Sequence, residues 1–338
     1  PLHGSIELNN RYSPDTTPLR LNAGFNYNNL WQRGHSLGLS TQLAPERIAD
    51  AEIYSAYYIA RFAKLPDFSL LLNATKQNSD VSTLGGAAVA GRGEVAGVRG
   101  LFTLPGHGDY FHSLSTGFDF KRFDEDLEID GETLVTPIEY WPMTLAYGGG
   151  WIGDKSFTEV NTSATWAFRG MGSGVQEFDT KRFEADGSFF YFRGDVSRTQ
   201  DLPKGWEAFG KLQAQATTNP LINSEQFSGG GASTVRGYLE SEALGDGGWF
   251  LTGEIRTPSL LKATEKRENG DPAREWRFHA FYDAGRLYLN EPLPEQQDLF
   301  RLSSVGLGTR FTLREQVEGS VEVAWPLEDQ GTTQASDA

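Results

Sequence analysis

Two short segments hold the residue types best suited to act together. Val235, Arg236, Gly237 and Tyr238 follow a glycine run, Gly229, Gly230 and Gly231, where a strand is expected to end. Phe281, Tyr282, Asp283, Ala284 and Gly285 lie inside a strand pattern about forty-five residues later. An arginine at a glycine-flanked loop tip and an aspartate on a strand face can form a charge-assisted, bidentate latch. The latch exists only if the loop folds back to where the strand points, which in a barrel means the lumen. A surface turn and an unrelated strand acid explain the same spacing, and spacing alone favours that plainer account.

Other candidates for chemistry are weaker. Residues 148–156 run Gly-Gly-Gly-Trp-Ile-Gly-Asp-Lys-Ser, but Asp154 spoils a phosphate loop and the stretch falls at a hairpin turn rather than before a helix. Gly91, Gly93 and Gly97 have the wrong spacing for a dinucleotide fingerprint. His107 and His112 flank a turn and do not make a metal site. The acidic run 124–131 ends in a glycine but lacks the bidentate glutamate of a calcium loop; it reads as a solvated face, with divalent bridging to lipopolysaccharide as the alternative. No Ser-His-acid or paired-carboxylate set can be assembled, so the chain is read as a non-enzyme without metal or cofactor.

The elements that must position the latch are legible in the composition. The chain has 338 residues, no Cys, 39 Gly, 22 Phe, 12 Tyr, 8 Trp and a formal net charge of -15. A mean hydropathy of -0.44 beside so many aromatics suits an outer-membrane barrel, which needs one apolar face per strand and aromatic girdles at both interfaces. No apolar run is long enough for a transmembrane helix. The acidic balance, without a Lys/Arg stripe, argues against a nucleic-acid partner. Pro1 leads straight into a strand pattern, so the sequence reads as a processed or truncated piece of something longer.

Period-two alternation recurs from end to end. Leu19, Leu21, Ala23, Phe25 and Tyr27 share one face, as do Trp206, Ala208, Leu212, Ala214 and Ala216, and Val317, Val321, Val323 and Trp325. Charges and glycines occupy the other faces, the lipid-out, lumen-in pattern. Fifteen strands are predicted, near 4–12, 19–29, 35–43, 53–63, 67–76, 92–104, 110–122, 138–151, 156–168, 184–198, 205–217, 248–257, 276–289, 302–313 and 316–326. Connections after odd-numbered strands, such as 77–91, 123–137 and 218–247, are mostly long, and those after even-numbered ones mostly short. Loop 258–275 breaks that rule. The fold class predicted is all-β, a transmembrane antiparallel barrel over residues 1–338. Because single-chain bacterial barrels have even strand numbers, sixteen strands are expected, with the last one missing from this sequence.

The segment 234–238, followed by Gly248, Trp249, Phe250 and the strand through Glu254 and Arg256, resembles the sixth extracellular loop and twelfth strand of the superfamily of outer-membrane insertases and two-partner secretion transporters. Residues 281–285 resemble its thirteenth-strand motif and residues 304–308 its fourteenth. Asn9, Asn10 and Arg11, then Leu19, Arg20 and Leu21, then residues 27–31 and 34–37 are similar to the start of the haemolysin secretion/activation barrels. This resemblance covers essentially the whole chain.

It implies that loop 218–247 folds into the pore and that Arg236 pairs with Asp283, with Val235, Gly237, Tyr238, Phe281 and Gly285 shaping the seat. Periodicity puts His279, Phe281, Asp283 and Gly285 on one face, and does not by itself say which face is inward. The family normally carries periplasmic POTRA domains and, in this branch, an N-terminal plug helix, neither of which is in this sequence. The implied function is ATP-independent translocation of one large β-helical exoprotein across the outer membrane of a Gram-negative cell. The partners are that secreted substrate, outer-membrane lipid and lipopolysaccharide, for a monomeric barrel. Alternatives are an insertase of other barrels, the barrel of a self-secreted effector fusion, and a passive porin.

Overall fold

The computed structural model describes residues 2–84, 87–129, 132–261, 274–313 and 316–336. Its strands are β1 (Leu2–Asn9), β2 (Arg20–Leu30), β3 (His35–Leu43), β4 (Glu52–Phe62), β5 (Leu65–Leu84), β6 (Ala87–His107), β7 (Tyr110–Ile129), β8 (Glu132–Tyr140) and β9 (Met143–Gly153). They continue with β10 (Ser156–Ala167), β11 (Phe189–Asp201), β12 (Glu207–Thr217), β13 (Phe227–Gly229), β14 (Ala243–Gly245), β15 (Gly247–Arg256), β16 (Arg274–Tyr288), β17 (Leu299–Leu313) and β18 (Val317–Pro326). One α-helix, α1 (Val175–Lys181), sits in the loop between β10 and β11.

Sixteen of these strands form one antiparallel sheet. Fifteen follow one another from β1 to β18, skipping β8, β13 and β14, while β8 pairs only with β7 and β13 pairs with β14 in a ribbon of its own. The fifteen on the path are the fifteen read from alternation. The sixteenth member is therefore a branch at β7. It arises because Trp141 and Pro142 interrupt what the sequence reads as a single strand over 138–151. A proline has no N–H to give the ladder, so β7 pairs with β8 over Lys121 to Ile129 and with β9 over Tyr110 to Phe118. The Asp119 N–H bridges the break by donating to the Pro142 carbonyl at 3.0 Å.

Two predicted loops are strands instead. Residues 77–91 and 123–137 fall mostly within β5, β6, β7 and β8, whose hydrogen-bonded hairpins continue past the predicted strand ends. Asn78, Ser79, Asp80, Gly85 and Gly86 in the first and Asp130 and Gly131 in the second read as loop composition, whereas backbone pairing needs no apolar face. β11 starts five residues later than predicted: Glu184 (φ 61°) and Gly187 (φ 84°) turn the chain first. Most of the long connection 258–275, and the side chains of the acidic run beyond Asp124, lie outside the described residues.

The predicted outward faces are outward. Leu212, Val305, Leu307, Val321, Val323 and Trp325 are all exposed, and so are Phe278 and Tyr282. Buried apolar residues instead form two clusters where inserted loops meet the inner wall, one around Tyr140, Phe178, Tyr191 and Leu221, the other around Phe227, Val235, Phe250 and Leu302. A flat sheet cannot bring β7 and β16 against one loop; a rolled one does, and residues 218–246 touch both. The glycine-rich stretch 148–156 is the β9–β10 hairpin, with Gly153 opposite Ser156, as read. His107 and His112 sit at the β6–β7 turn, where His112 is engaged with Tyr147 and the Pro105 carbonyl. Among the described residues no cluster of three or more metal-ligating side chains occurs.

Candidate functional site

The segment between β12 and β15 enters the lumen as a strap. Asp246 clamps its two ends: one carboxylate oxygen accepts from the Leu221 N–H (2.9 Å) and Gln226 Nε2 (3.1 Å), the other from the Asn290 N–H (2.7 Å). Gln215 of β12 adds donations to the Glu225 and Asp246 carbonyls. The β13–β14 ribbon then carries the chain inward to a tight tip. Gly230 and Gly231 take φ of 100° and 90°, which lets the Gly231 N–H reach the Tyr238 carbonyl at 3.1 Å. Glu240 closes the tip by accepting from the Ala232 N–H at 3.0 Å.

Arg236 leaves that tip toward β16. Its Nε donates to Asp283 Oδ2 at 2.7 Å and its Nη2 to Asp283 Oδ1 at 3.0 Å, a bidentate fork, and its backbone N–H also reaches Oδ2 at 3.2 Å. Nη1 donates to Glu254 Oε2 of β15 at 3.0 Å and lies 3.6 Å from Glu322 Oε2 of β18. The guanidinium carbon is 3.4 Å from the centre of the Phe281 ring, a cation–π stack. Phe281 therefore belongs on the lumen face with Asp283, and its apolar character there is explained: it is the platform under the arginine. Burial works to lower the Arg236 pKa, but the hydrogen bonds and charges of Asp283, Glu254 and Glu322 together outweigh it and raise it, so the cation persists.

The other members of the seat pack around this fork. Val235 is fully buried in the cluster with Phe227, Phe250, Leu287 and Leu302. The Tyr238 hydroxyl lies 2.8 Å from the Glu328 carbonyl and 3.0 Å from that of Ser303, with the N–H groups of both residues also in reach. Gly237 takes φ 95° and would place a Cβ 3.1 Å from Ala324 Cβ of β18, so no larger residue fits without strain. Gly285 acts less directly than the sequence suggests. The space above it is taken by Phe250 of β15, whose Cδ1 would sit 2.2 Å from an added Cβ, and it is Phe250 that meets the strap. Gly285→Ala is expected to cost about 1–3 kcal/mol by overpacking, measured as a lower temperature for loss of the barrel's heat-resistant migration on gels.

Several partners were not singled out by role in the sequence. Glu254 also holds Arg256 Nε at 2.6 Å, and Arg256 pairs onward with Glu207 of β12. Glu322 accepts from His279 Nε2 at 3.0 Å and lies 3.3 Å from Arg310 Nη2, which is 3.5 Å from Glu254. Alternation marks Glu254, Arg256, Arg310 and Glu322 as inward and leaves the face of His279 open. Only the strand register brings them to one height: Glu254 lies opposite Phe281, and Gly308 is opposite both His279 and Glu322.

A second anchor lies elsewhere on the wall, on β7, β8 and β11. Glu225, at the base of the strap, is fully buried; its Oε1 accepts from Lys121 Nζ of β7 at 2.6 Å and from the Tyr140 hydroxyl of β8 at 2.6 Å, and its Oε2 accepts from the Tyr191 hydroxyl of β11 at 2.8 Å. Burial alone would push this carboxyl up, but Lys121 and the two hydroxyls outweigh it and hold it below the ordinary carboxylate range.

Residues 150–311, which include strap, fork and platform, match the family model of the haemolysin secretion/activation proteins ShlB, FhaC and HecB. The resemblance read from the loop and strand motifs is thereby borne out, and haemolysin secretion/activation barrels are proteins of the bacterial outer membrane. The solved structure of CdiB from Escherichia coli is similar over 99% of this chain at 18% identity, with a TM-score of 0.76. CdiB from Acinetobacter baumannii is similar over 99% at 16% identity and a TM-score of 0.69. BamA from Haemophilus ducreyi lacking POTRA domains 1–3 is similar over 98% at 15% identity and a TM-score of 0.63, with 68% of its own length covered. At these identities the likenesses establish the fold, a barrel. The chain spans 61% and 57% of the two CdiB chains. No curated protein matches the chain.

Proposed function

We propose that this chain is the barrel of a two-partner secretion pore, passing one large unfolded exoprotein of β-helical type to the cell surface. The observation that carries this reading is the strap across the lumen, whose tip is held to the wall by the fork from Arg236 to Asp283 and Glu254. A passive porin has no use for a buried, charge-assisted latch on a plug. A translocator does, because the plug must seal the resting pore and yield to substrate. Arg236 and Asp283 are the latch, Phe281 its platform, and Val235, Gly237, Tyr238 and Gly285 shape its seat. Moving an unfolded chain needs no covalent chemistry, and folding of the substrate outside supplies direction without ATP. The barrel works as a monomer, with lipid and lipopolysaccharide around its apolar outer wall.

The family match over residues 150–311 supports secretion over insertion. Liposomes containing the complete protein test the choice. An unfolded exoprotein added from the periplasmic side should become protease-protected without ATP. If barrel precursors fold into those liposomes faster while the exoprotein stays digestible, insertion replaces secretion as the activity.

A further inference from the structure

The strap is pinned at two separate places on the wall, and its two pins are chemically unequal. If the tip lets go, most of the acids it leaves behind keep a partner. Glu254 retains Arg256 and Arg310, and Glu322 retains His279 and Arg310. Among the described residues, only Asp283 loses its cation. If the base lets go, nothing substitutes. Lys121 has no other acid within ion-pair distance among the described residues, and Glu225 would surrender an ammonium and two tyrosine hydroxyls together. Leaving a buried charge without a partner is the costliest outcome in such a site. Between the pins lie Gly230 and Gly231, both at positive φ, a place where the backbone can turn with little steric resistance.

From this asymmetry we infer that Glu225 is the fixed pivot of the strap, staying bound to Lys121, Tyr140 and Tyr191 while the Arg236 tip swings free. The passage then opens along the wall of β15, β16 and β18, and the wall of β7, β8 and β11 stays covered. Glu225 is thus a positioning residue for the gate. The inference rests on the reading of the strap as a gate, and it goes further by naming which end moves.

The chain has no cysteine, so single spin labels report each end separately. One goes at Ser233, exposed on the tip, the other at Asn223, two residues before the base carboxylate. In the complete protein both labels should show an immobilised spectral component. Arg236→Ala should remove that component at Ser233 and leave it at Asn223. Glu225→Gln should remove it at Asn223. Heat-modifiable gel migration reports whether each variant has folded. Should Glu225→Gln fail to assemble, Tyr191→Phe deletes one of the three donors and should reduce the immobilised fraction at Asn223. Release of Asn223 by Arg236→Ala as complete as that of Ser233 would overturn the pivot. So would an Asn223 label that stays immobile in both base variants. No substrate is needed, so a strap that pivots in a barrel that exports nothing would fail the transport reading and leave the pivot standing.

Discussion

Arg236→Ala is expected to cut export of the exoprotein by tenfold or more while the barrel still reaches the membrane in normal amount. The wall does not depend on the fork, since β15 and β16 are joined by a full backbone ladder from Gly247 to Arg256. The strap tip does depend on it. Removing one partner of a dry buried pair costs about 3–5 kcal/mol, and lumen water reduces that figure. Even about 1.4 kcal/mol shifts a held-to-free balance tenfold. Surface exoprotein normalised to folded barrel is the measurement, and unchanged export would remove the latch from the mechanism.

Arg236→Lys refines the test. An ammonium cannot span two carboxylates as a planar fork, nor lie flat on Phe281 at 3.4 Å, so export should fall between wild type and alanine. Charge reversal at both positions is also informative, though the structure limits what it can restore. An aspartate at 236 would face Glu254 and Glu322, so recovery should be partial. A swapped pair that secretes no better than either single variant would rule out direct contact between the two positions as the explanation.

Excising residues 227–245 is expected to turn a closed or flickering channel into a steady pore of several-fold higher conductance in planar bilayers. Phe227 and Gly245 are opposite partners in the β13–β14 ribbon, so Gln226 and Asp246 can be rejoined by two glycines. Those residues already touch through Gln226 Nε2 and Asp246 Oδ1. The deletion removes the fork and the tip and keeps the Glu225 base. Conductance equal to that of the intact protein would show that something other than the strap occludes the lumen.

The strands of the wall were readable because alternation has a physical cause that a single sequence displays: Leu212 and Ala214 must meet lipid, and Lys211 and Gln213 must not. The upper halves of β5 to β8 were not readable, since Gly85, Gly86, Asp130 and Gly131 give those stretches the composition of loops, and backbone pairing leaves no mark of its own on the sequence. The helix α1 is too short to leave a period. At the site, Arg236 and Asp283 were picked out by resemblance, and alternation allowed both. Glu322 and Arg310 were inward by alternation but had no assigned height, because height comes from register and register from pairing. Glu225 gave no signal: an acid in a polar loop looks ordinary until Tyr140 and Tyr191 are seen to point at it.

The unequal strand lengths have a consequence for what leaves the barrel. About 9–11 residues suffice to cross the bilayer. β5, β6 and β7 have 20, 21 and 20 residues, so roughly ten residues of each, at about 3.3 Å per residue, stand above it. β2, β3 and β4 have 11, 9 and 11 and end near the surface. The rim is a parapet on one side and a sill on the other. On the proposed reading as a secretion pore, a chain emerging from such a mouth would be shed over the sill, sideways and close to the headgroups, and its first folded turns would form beside the cell surface rather than far out in the medium.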